Sequence, residues 1–262
     1  MDRMERHRVG DVDVHLAAHG AGRPVLVLHG AGVDHREPEA CFEPALAAQG
    51  GLRRIYPDLP GHGRTPAPPG LRSADDVLDV ILGLADAVAG DDPLLLVGHS
   101  AGAHYARGLA ARRPERVAGL ALVCPLLPGG GGDVPPHRPV VADDALGDAG
   151  FRGYVVVQTP AMLDRYRRWV EPGAALADAA AAERIGVRWE LAEPGGPAYG
   201  GPVLVVAGRR DSTVGYAEAV RLLDVYPRAT LAVVDDAGHA LPHERPEVLA
   251  GLLREWLARV PR

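Results

Sequence analysis

Gly98-His99-Ser100-Ala101-Gly102 follows directly on the apolar run Leu94-Leu95-Leu96-Val97 and precedes a stretch of helical composition, residues 104–113. A G-x-S-x-G pentapeptide between a strand and a helix exposes a serine hydroxyl on a strained turn. Its glycines are needed because side chains there would strike the neighbouring strand and helix. Serine occurs only at positions 73, 100 and 212, so candidates for a nucleophile are few. A hydroxyl attacks a carbonyl only when a positioned base takes its proton and a third group orients that base. Gly208-Arg209-Arg210-Asp211 closes one further apolar run, and Asp236-Ala237-Gly238-His239 closes another. In a parallel sheet the carboxyl ends of the strands line one edge, so Ser100, Asp211 and His239 are expected to meet there. Asp235 and Asp236 are nearer to His239 in sequence, but each would have to turn back from the strand end to reach its ring, which favours Asp211.

Such chemistry also needs a pocket of backbone N–H groups for the oxyanion. One donor is expected from Ala101, after the serine, and one from the loop opened by His29-Gly30-Ala31-Gly32, where Ala31 is favoured and Gly32 is the neighbouring alternative. His29, His62, His99 and His104 read as hydrogen-bonded loop supports. His239 and His243 have the spacing of a helical zinc pair, but Pro242 interrupts it and no H-E-x-x-H pattern exists, so no metal site and no cofactor are expected. The glycines at 129–132 lack the helix-opening pattern of a dinucleotide loop and read as a hinge or a simple loop.

These residues need a scaffold. The runs Val25-Leu26-Val27-Leu28, Leu94-Leu95-Leu96-Val97, Leu120-Ala121-Leu122-Val123 and Val203-Leu204-Val205-Val206 suit strands buried on both faces of a parallel sheet. Arg54-Ile55-Tyr56 and Leu231-Ala232-Val233-Val234 are weaker versions, and Val12-Asp13-Val14-His15-Leu16 alternates like an antiparallel edge strand. Helical spacing fills roughly 73–89, 101–112, 215–225 and 246–259, which gives an α/β layered domain. The alternation breaks between Pro125-Leu126-Leu127-Pro128 and Glu193-Pro194-Gly195-Gly196-Pro197. Residues 1–125 and 199–262 are therefore expected to form the core and 126–198 an inserted helical cap, or else an irregular excursion of the same domain. Within the insertion Phe151, Tyr154, Tyr166, Trp169 and Trp189 either line an apolar pocket or form the cap's own small core.

Composition removes whole classes. The 262 residues are 47% hydrophobic and 24% charged, enough for a full core. All 28 basic side chains are arginine, so a Walker loop, a kinase-type phosphate lysine and a Schiff-base enzyme are excluded. A formal charge of −6 with dispersed arginines leaves no footprint for nucleic acid. No membrane-length apolar run occurs, and the polar start, Met1-Asp2-Arg3-Met4-Glu5-Arg6, is unlike a signal peptide, so a cytoplasmic protein without membrane contact is expected. Cys41 and Cys124 suit neither a disulfide framework nor a thiolate site.

Taken together, His29-Gly30, Asp58-Leu59-Pro60-Gly61-His62-Gly63-Arg64, the pentapeptide, Gly208 with Asp211, and Gly238-His239 resemble the serine-nucleophile, small-cap branch of the α/β-hydrolase fold superfamily. The order Ser, Asp, His is that family's order. The resemblance implies a mostly parallel eight-stranded sheet flanked by helices, with Ser100 as nucleophile, His239 as base and Asp211 as its orienting acid. It departs at Arg64-Thr65, where many relatives carry Arg-Ser, and at Ala103, where many have glycine. The expected function is hydrolysis of a small carboxylic ester or related acyl compound through an acyl-enzyme. Carbon–carbon bond or lactone hydrolysis on the same residues, acyl transfer, and non-catalytic ligand binding are the alternatives.

Overall fold

The computed structural model describes residues 3–129, 134–193 and 199–261. Its strands are β1 (Arg3–Val9), β2 (Val12–Gly20), β3 (Arg23–Leu28), β4 (Leu52–Pro57), β5 (Leu94–His99), β6 (Val117–Val123), β7 (Val203–Gly208) and β8 (Ala229–Val234). They form one eight-stranded sheet in the order β1-β2-β4-β3-β5-β6-β7-β8. β2 pairs antiparallel with β1 and β4, and the remaining pairings are parallel. Register aligns Leu28 with Gly98, His99 with Val123, Val123 with Val206 and Gly208 with Val234, so the strand ends that carry the candidate residues share one edge.

The apolar runs are continuous because both faces of the sheet are covered. Successive side chains point to opposite faces. Leu26, Leu28, Leu94, Leu96, Leu120 and Leu122 therefore pack with α2 (Ala74–Ala89) and α3 (Ala101–Arg112), whereas Val25, Val27, Leu95, Val97 and Val123 pack with Phe42 and Trp256 on the other side. Ser73 starts α2 by accepting the Asp76 N–H at 3.2 Å. Trp256 is fully buried, with Nε1 donating to the Pro202 carbonyl at 3.2 Å. Trp256→Ala is expected to cost about 3–5 kcal/mol, from lost transfer energy and the cavity left behind. A fall in urea midpoint at unchanged slope would show it.

Two elements go beyond the sequence reading. β1 extends the sheet by one antiparallel strand, and α1 (Arg36–Ala47), which carries two prolines, covers the Trp256 face. Between β6 and β7 come α4 (Ala149–Tyr154), α5 (Pro160–Arg165), α6 (Glu171–Ala174) and α7 (Ala179–Gly186), with a π turn, Tyr166–Val170, between α5 and α6. The Ala-rich stretch after Ala174 is helical only from Ala179, because the Asp178 carboxylate caps α7 at the Ala181 N–H (3.0 Å) while the Asp178 N–H is drawn to the Gly61 carbonyl (2.9 Å). After β7 follow α8 (Leu222–Val225), α9 (Leu241–Glu244) and α10 (Pro246–Arg259). From Gly130 onward the glycine run lies outside the described residues, as do residues 194–198 at the far border of the insertion.

Candidate active site

Ser100 lies between β5 and α3 with φ 54° and ψ −118°, a conformation that costs a non-glycine residue of order 1–3 kcal/mol. The turn is held by the Ser100 N–H donating to the Val123 carbonyl (3.0 Å) and by the Ser100 carbonyl accepting from Ala103 (3.0 Å) and His104 (3.2 Å). A Cβ on Gly98 would lie 2.5 Å from the Ala103 backbone, and one on Gly102 2.2 Å from the Leu28 carbonyl oxygen, which accounts for both glycines of the pentapeptide.

His239 and Asp211 are joined: His239 Nδ1 lies 2.8 Å from Asp211 Oδ2. The fully buried Asp211 also accepts the N–H groups of Thr213 (2.9 Å) and Val214 (3.0 Å) on Oδ1. Burial alone would raise its pKa, but the His239 contact and these N–H groups hold the carboxyl below the ordinary range. The competing aspartates are engaged elsewhere, Asp236 with Arg245 and Asp235 with Arg209. Ser100 Oγ makes no hydrogen bond to His239 among the described residues. Its neighbour His99 connects the two segments, with Nε2 donating to the His239 carbonyl at 2.9 Å. Such contacts are often loose in unliganded sites and tighten around substrate.

Neither Ala31 N–H nor Ala101 N–H has a partner among the described residues. The Gly32 N–H, by contrast, donates to His62 Nε2 at 3.1 Å, while His62 Nδ1 faces the Pro60 carbonyl at 3.1 Å. Of the two neighbouring positions, then, Ala31 has the free donor. His29 Nε2 accepts the Leu59 N–H (2.9 Å) and its Nδ1 faces the Gly30 carbonyl (2.6 Å). Burial, with His62 beside it, lowers the His29 pKa to about 4. His104 Nε2 donates to the Trp189 carbonyl (2.9 Å), and burial takes its pKa to about 4 as well. All four histidines read as supports are thus hydrogen-bonded to loop backbone.

The D-x-P-G-H-G segment has a structural task. Asp58 accepts the N–H groups of His35 (3.0 Å) and Arg64 (2.9 Å) and meets His35 Nδ1 at 2.7 Å, tying this turn to the loop before α1. Gly63, at φ 53°, is required because a Cβ would lie 2.3 Å from the Asp58 carboxylate.

Two buried acids were not singled out in the sequence. Glu244 accepts the N–H of Gly238 (2.7 Å) on one oxygen and those of Val156 (2.6 Å) and Val157 (3.3 Å) on the other, joining the histidine loop to the insertion. Burial outweighs these N–H groups and raises its pKa. Glu37 lies among His99, His243 and Tyr154. Each acid sits in or beside a helix terminus and looks like an ordinary terminal acid, so no local pattern marks it. His243 faces Glu37 and Cys41 while His239 faces Asp211, which separates the zinc-spaced pair. Among the described residues, metal-type donors approach one another in Glu37–Cys41–His243, Asp34–His35–Asp58 and His99–Cys124–His239, and Arg165 and Arg36 bring positive charge to the first two.

Beside Ala31 and Ala101 lies a cavity of about 220 Å³ lined by Leu59, Val77, Tyr105, Leu126, Ile185 and Trp189, with His62 and His104. Of the insertion's aromatics, Trp189 therefore faces the cavity. Phe151, Tyr154 and Tyr166 pack together against Ala240, and Trp169 lies between Arg165 and Arg168.

A serine on a strained strand-to-helix turn, an acid–histidine pair on the same sheet edge, and this strand order define an α/β-hydrolase. Residues 25–252 match the model of the alpha/beta hydrolase family, and the chain belongs to that family. It is 29% identical to the magnesium-chelatase 30 kDa subunit of Rhodobacter capsulatus, over 96% of this chain and 93% of that protein. It is 30% identical to the 2-hydroxymuconate semialdehyde hydrolase of a Pseudomonas species, strain CF600, over 91% and 88%. An alpha/beta superfamily hydrolase from Oenococcus oeni shares the fold at a TM-score of 0.86 and 23% identity, over 98% and 99% of the two chains. Among the described residues no helix is long and apolar enough to cross a membrane.

Proposed function

We propose that the protein is a cofactor-independent serine hydrolase that cleaves a small, uncharged carboxylic ester or related acyl compound through an acyl-enzyme on Ser100. The observation that carries this reading is the Asp211–His239 bond at 2.8 Å on the sheet edge that also bears the strained Ser100 turn. His239 takes the Ser100 proton as Oγ attacks the carbonyl, and Asp211 holds its Nδ1–H and offsets the imidazolium that forms. The N–H groups of Ala31 and Ala101 receive the oxyanion. His239 then protonates the leaving group, and water, deprotonated by the same ring, releases the acid and restores Ser100. The 126–198 segment acts as the cap, with Trp189 and Ile185 covering the acyl site.

The lining of the cavity supports a neutral acyl group. It includes no aspartate, glutamate or arginine among the described residues, and burial lowers the pKa of both His62 and His104. A substrate carboxylate there would lose its hydration without a counter-charge. The volume, equal to about seven waters at ~30 Å³ each, suits a short or medium acyl chain.

The test is intact-mass analysis after brief exposure to a fluorophosphonate, followed by a panel of p-nitrophenyl esters, lactones, thioesters and a dienone acid. A single adduct and turnover of neutral esters of up to about eight acyl carbons are expected. The relationship to the 2-hydroxymuconate semialdehyde hydrolase keeps carbon–carbon cleavage as the second reading. Turnover of the dienone acid in preference to every neutral ester would select it, and ligand-induced thermal stabilisation with neither adduct nor product would mean a binding protein.

A further inference from the structure

β8 closes one edge of the sheet and β1 closes the other. The two edges are unlike. β1 reads Arg3-Met4-Glu5-Arg6-His7-Arg8-Val9, and charged side chains on an edge strand deter pairing with another chain. β8 reads Ala229-Thr230-Leu231-Ala232-Val233-Val234, without a charge, a proline or a glycine, which is the composition of a strand that pairs.

The ladder shows which backbone groups of β8 are free. The Arg228 carbonyl accepts from the Val203 N–H (3.1 Å) and the Val234 carbonyl from the Arg209 N–H (2.8 Å), and the register with β7 is unbroken from Ala229 to Val234. Alternate residues of a strand direct their N–H and C=O groups to opposite sides, so Thr230, Ala232 and Val234 face β7 while Leu231 and Val233 face away from it. Neither Leu231 nor Val233 has a backbone partner on that outer side among the described residues. Val233 is 41% exposed, and Val220, just before α8, and Leu223, within it, add exposed apolar surface where α8 packs on β8.

An edge of this kind accepts another strand, and the ends of β8 indicate which. Arg228 precedes the strand and Asp235 and Asp236 follow it. Arg228 is exposed and makes no ion pair among the described residues. A second β8 running parallel would bring like ends together. Running antiparallel about a two-fold axis at Ala232, it pairs Leu231 of each copy with Val233 of the other, each such pair exchanging two hydrogen bonds, and sets Arg228 opposite Asp236. With the axis at Leu231 or Val233 instead, Arg228 would face Val234 or Gly238, and the charges would not match.

We propose that β8 is the docking edge for a second copy of this chain, joined antiparallel about Ala232 so that the two sheets become one. The inference does not depend on the chemistry at Ser100. A six-residue ladder with Val220 and Leu223 beside it falls at the small end of a scale on which standard interfaces bury about 800 Å² per partner, so the dimer forms reversibly, in the micromolar range.

Sedimentation velocity on the full-length protein from about 1 to 200 µM should show a monomer–dimer equilibrium. Val233→Lys puts a charge on the free edge, leaves the β7 ladder untouched and should raise the dissociation constant at least about tenfold. Ala232→Cys should give a disulfide-linked dimer on mild oxidation, because opposed residues of a non-hydrogen-bonded pair lie ~4.5 Å apart, within reach of a disulfide. Thr230→Cys, which faces Val234 of the other copy, should not, and Cys41 and Cys124 are buried, so the wild type should stay uncross-linked. A protein monomeric at every concentration overturns the inference, as does a dimer that Val233→Lys leaves unweakened, since that dimer uses another surface. If Val233→Lys does not fold, the cysteine variants decide: cross-linking of Ala232→Cys without cross-linking of Thr230→Cys supports the two-fold pairing, and any other pattern overturns it.

Discussion

Ser100→Ala is expected to abolish the fluorophosphonate adduct and to lower kcat for any ester substrate by about 10⁴–10⁶-fold, or roughly 5–8 kcal/mol of transition-state stabilisation. No bond can form between the carbonyl carbon and an alanine methyl, so only the residual effect of the oxyanion N–H groups and of binding remains. The fold should be untouched. Ser100 is held by its backbone, through the Val123 carbonyl and the Ala103 and His104 N–H groups, and its hydroxyl makes no hydrogen bond among the described residues. A thermal midpoint within about 2 °C of wild type, together with complete loss of labelling, is the expected pair of results. Retained esterase activity in the variant would refute the assignment of the nucleophile.

Asp211→Asn is expected to lower kcat by about 10⁴-fold through the protonation state of His239. Because the Thr213 and Val214 N–H groups claim Oδ1, the asparagine carbonyl must take that position and its NH₂ must point at His239 Nδ1. A donor there makes Nδ1 the acceptor, so the proton moves to Nε2 and the ring can no longer take one from Ser100. Acid stability should change with it. The folded pKa of Asp211 lies below its unfolded value, so its contribution is fully present above the ordinary carboxylate value near 3.9 and is lost as pH falls through the folded pKa. Urea midpoints should fall less steeply below about pH 4 in Asp211→Asn than in wild type. Parallel acid profiles would show that the His239 contact does not hold the carboxyl down.

The parts of this molecule that were legible in the sequence are those whose physics is local. Leu94-Leu95-Leu96-Val97 reads as a strand because both faces are covered, and Gly98 and Gly102 mark a turn because backbone lies where their side chains would be. Asp211 and His239 could be placed because strand ends in a parallel sheet converge whatever the intervening chain does. β1 was missed because Arg3-Met4-Glu5-Arg6-His7-Arg8-Val9, on the outer edge of the sheet, carries charge where a buried strand would carry apolar residues. α1 was missed because Pro38 and Pro44 break the pattern by which a helix is read. Glu37 and Glu244 could not be singled out because their partners come from remote segments: His99 is 62 positions from Glu37, and Val156 is 88 from Glu244.

The backbone at Ser100 carries a further meaning. A φ of 54° with ψ −118° is ground that glycine occupies freely and serine does not, so the most comfortable residue for that turn is one with no side chain and no hydroxyl. The protein gives up stability at the one position where its chemistry is expected to begin. Selection for heat resistance alone would drift toward glycine there, whereas selection for turnover keeps the strained serine. Thermal robustness and activity thus pull on this residue in opposite directions, and a search for hardier variants must hold position 100 fixed.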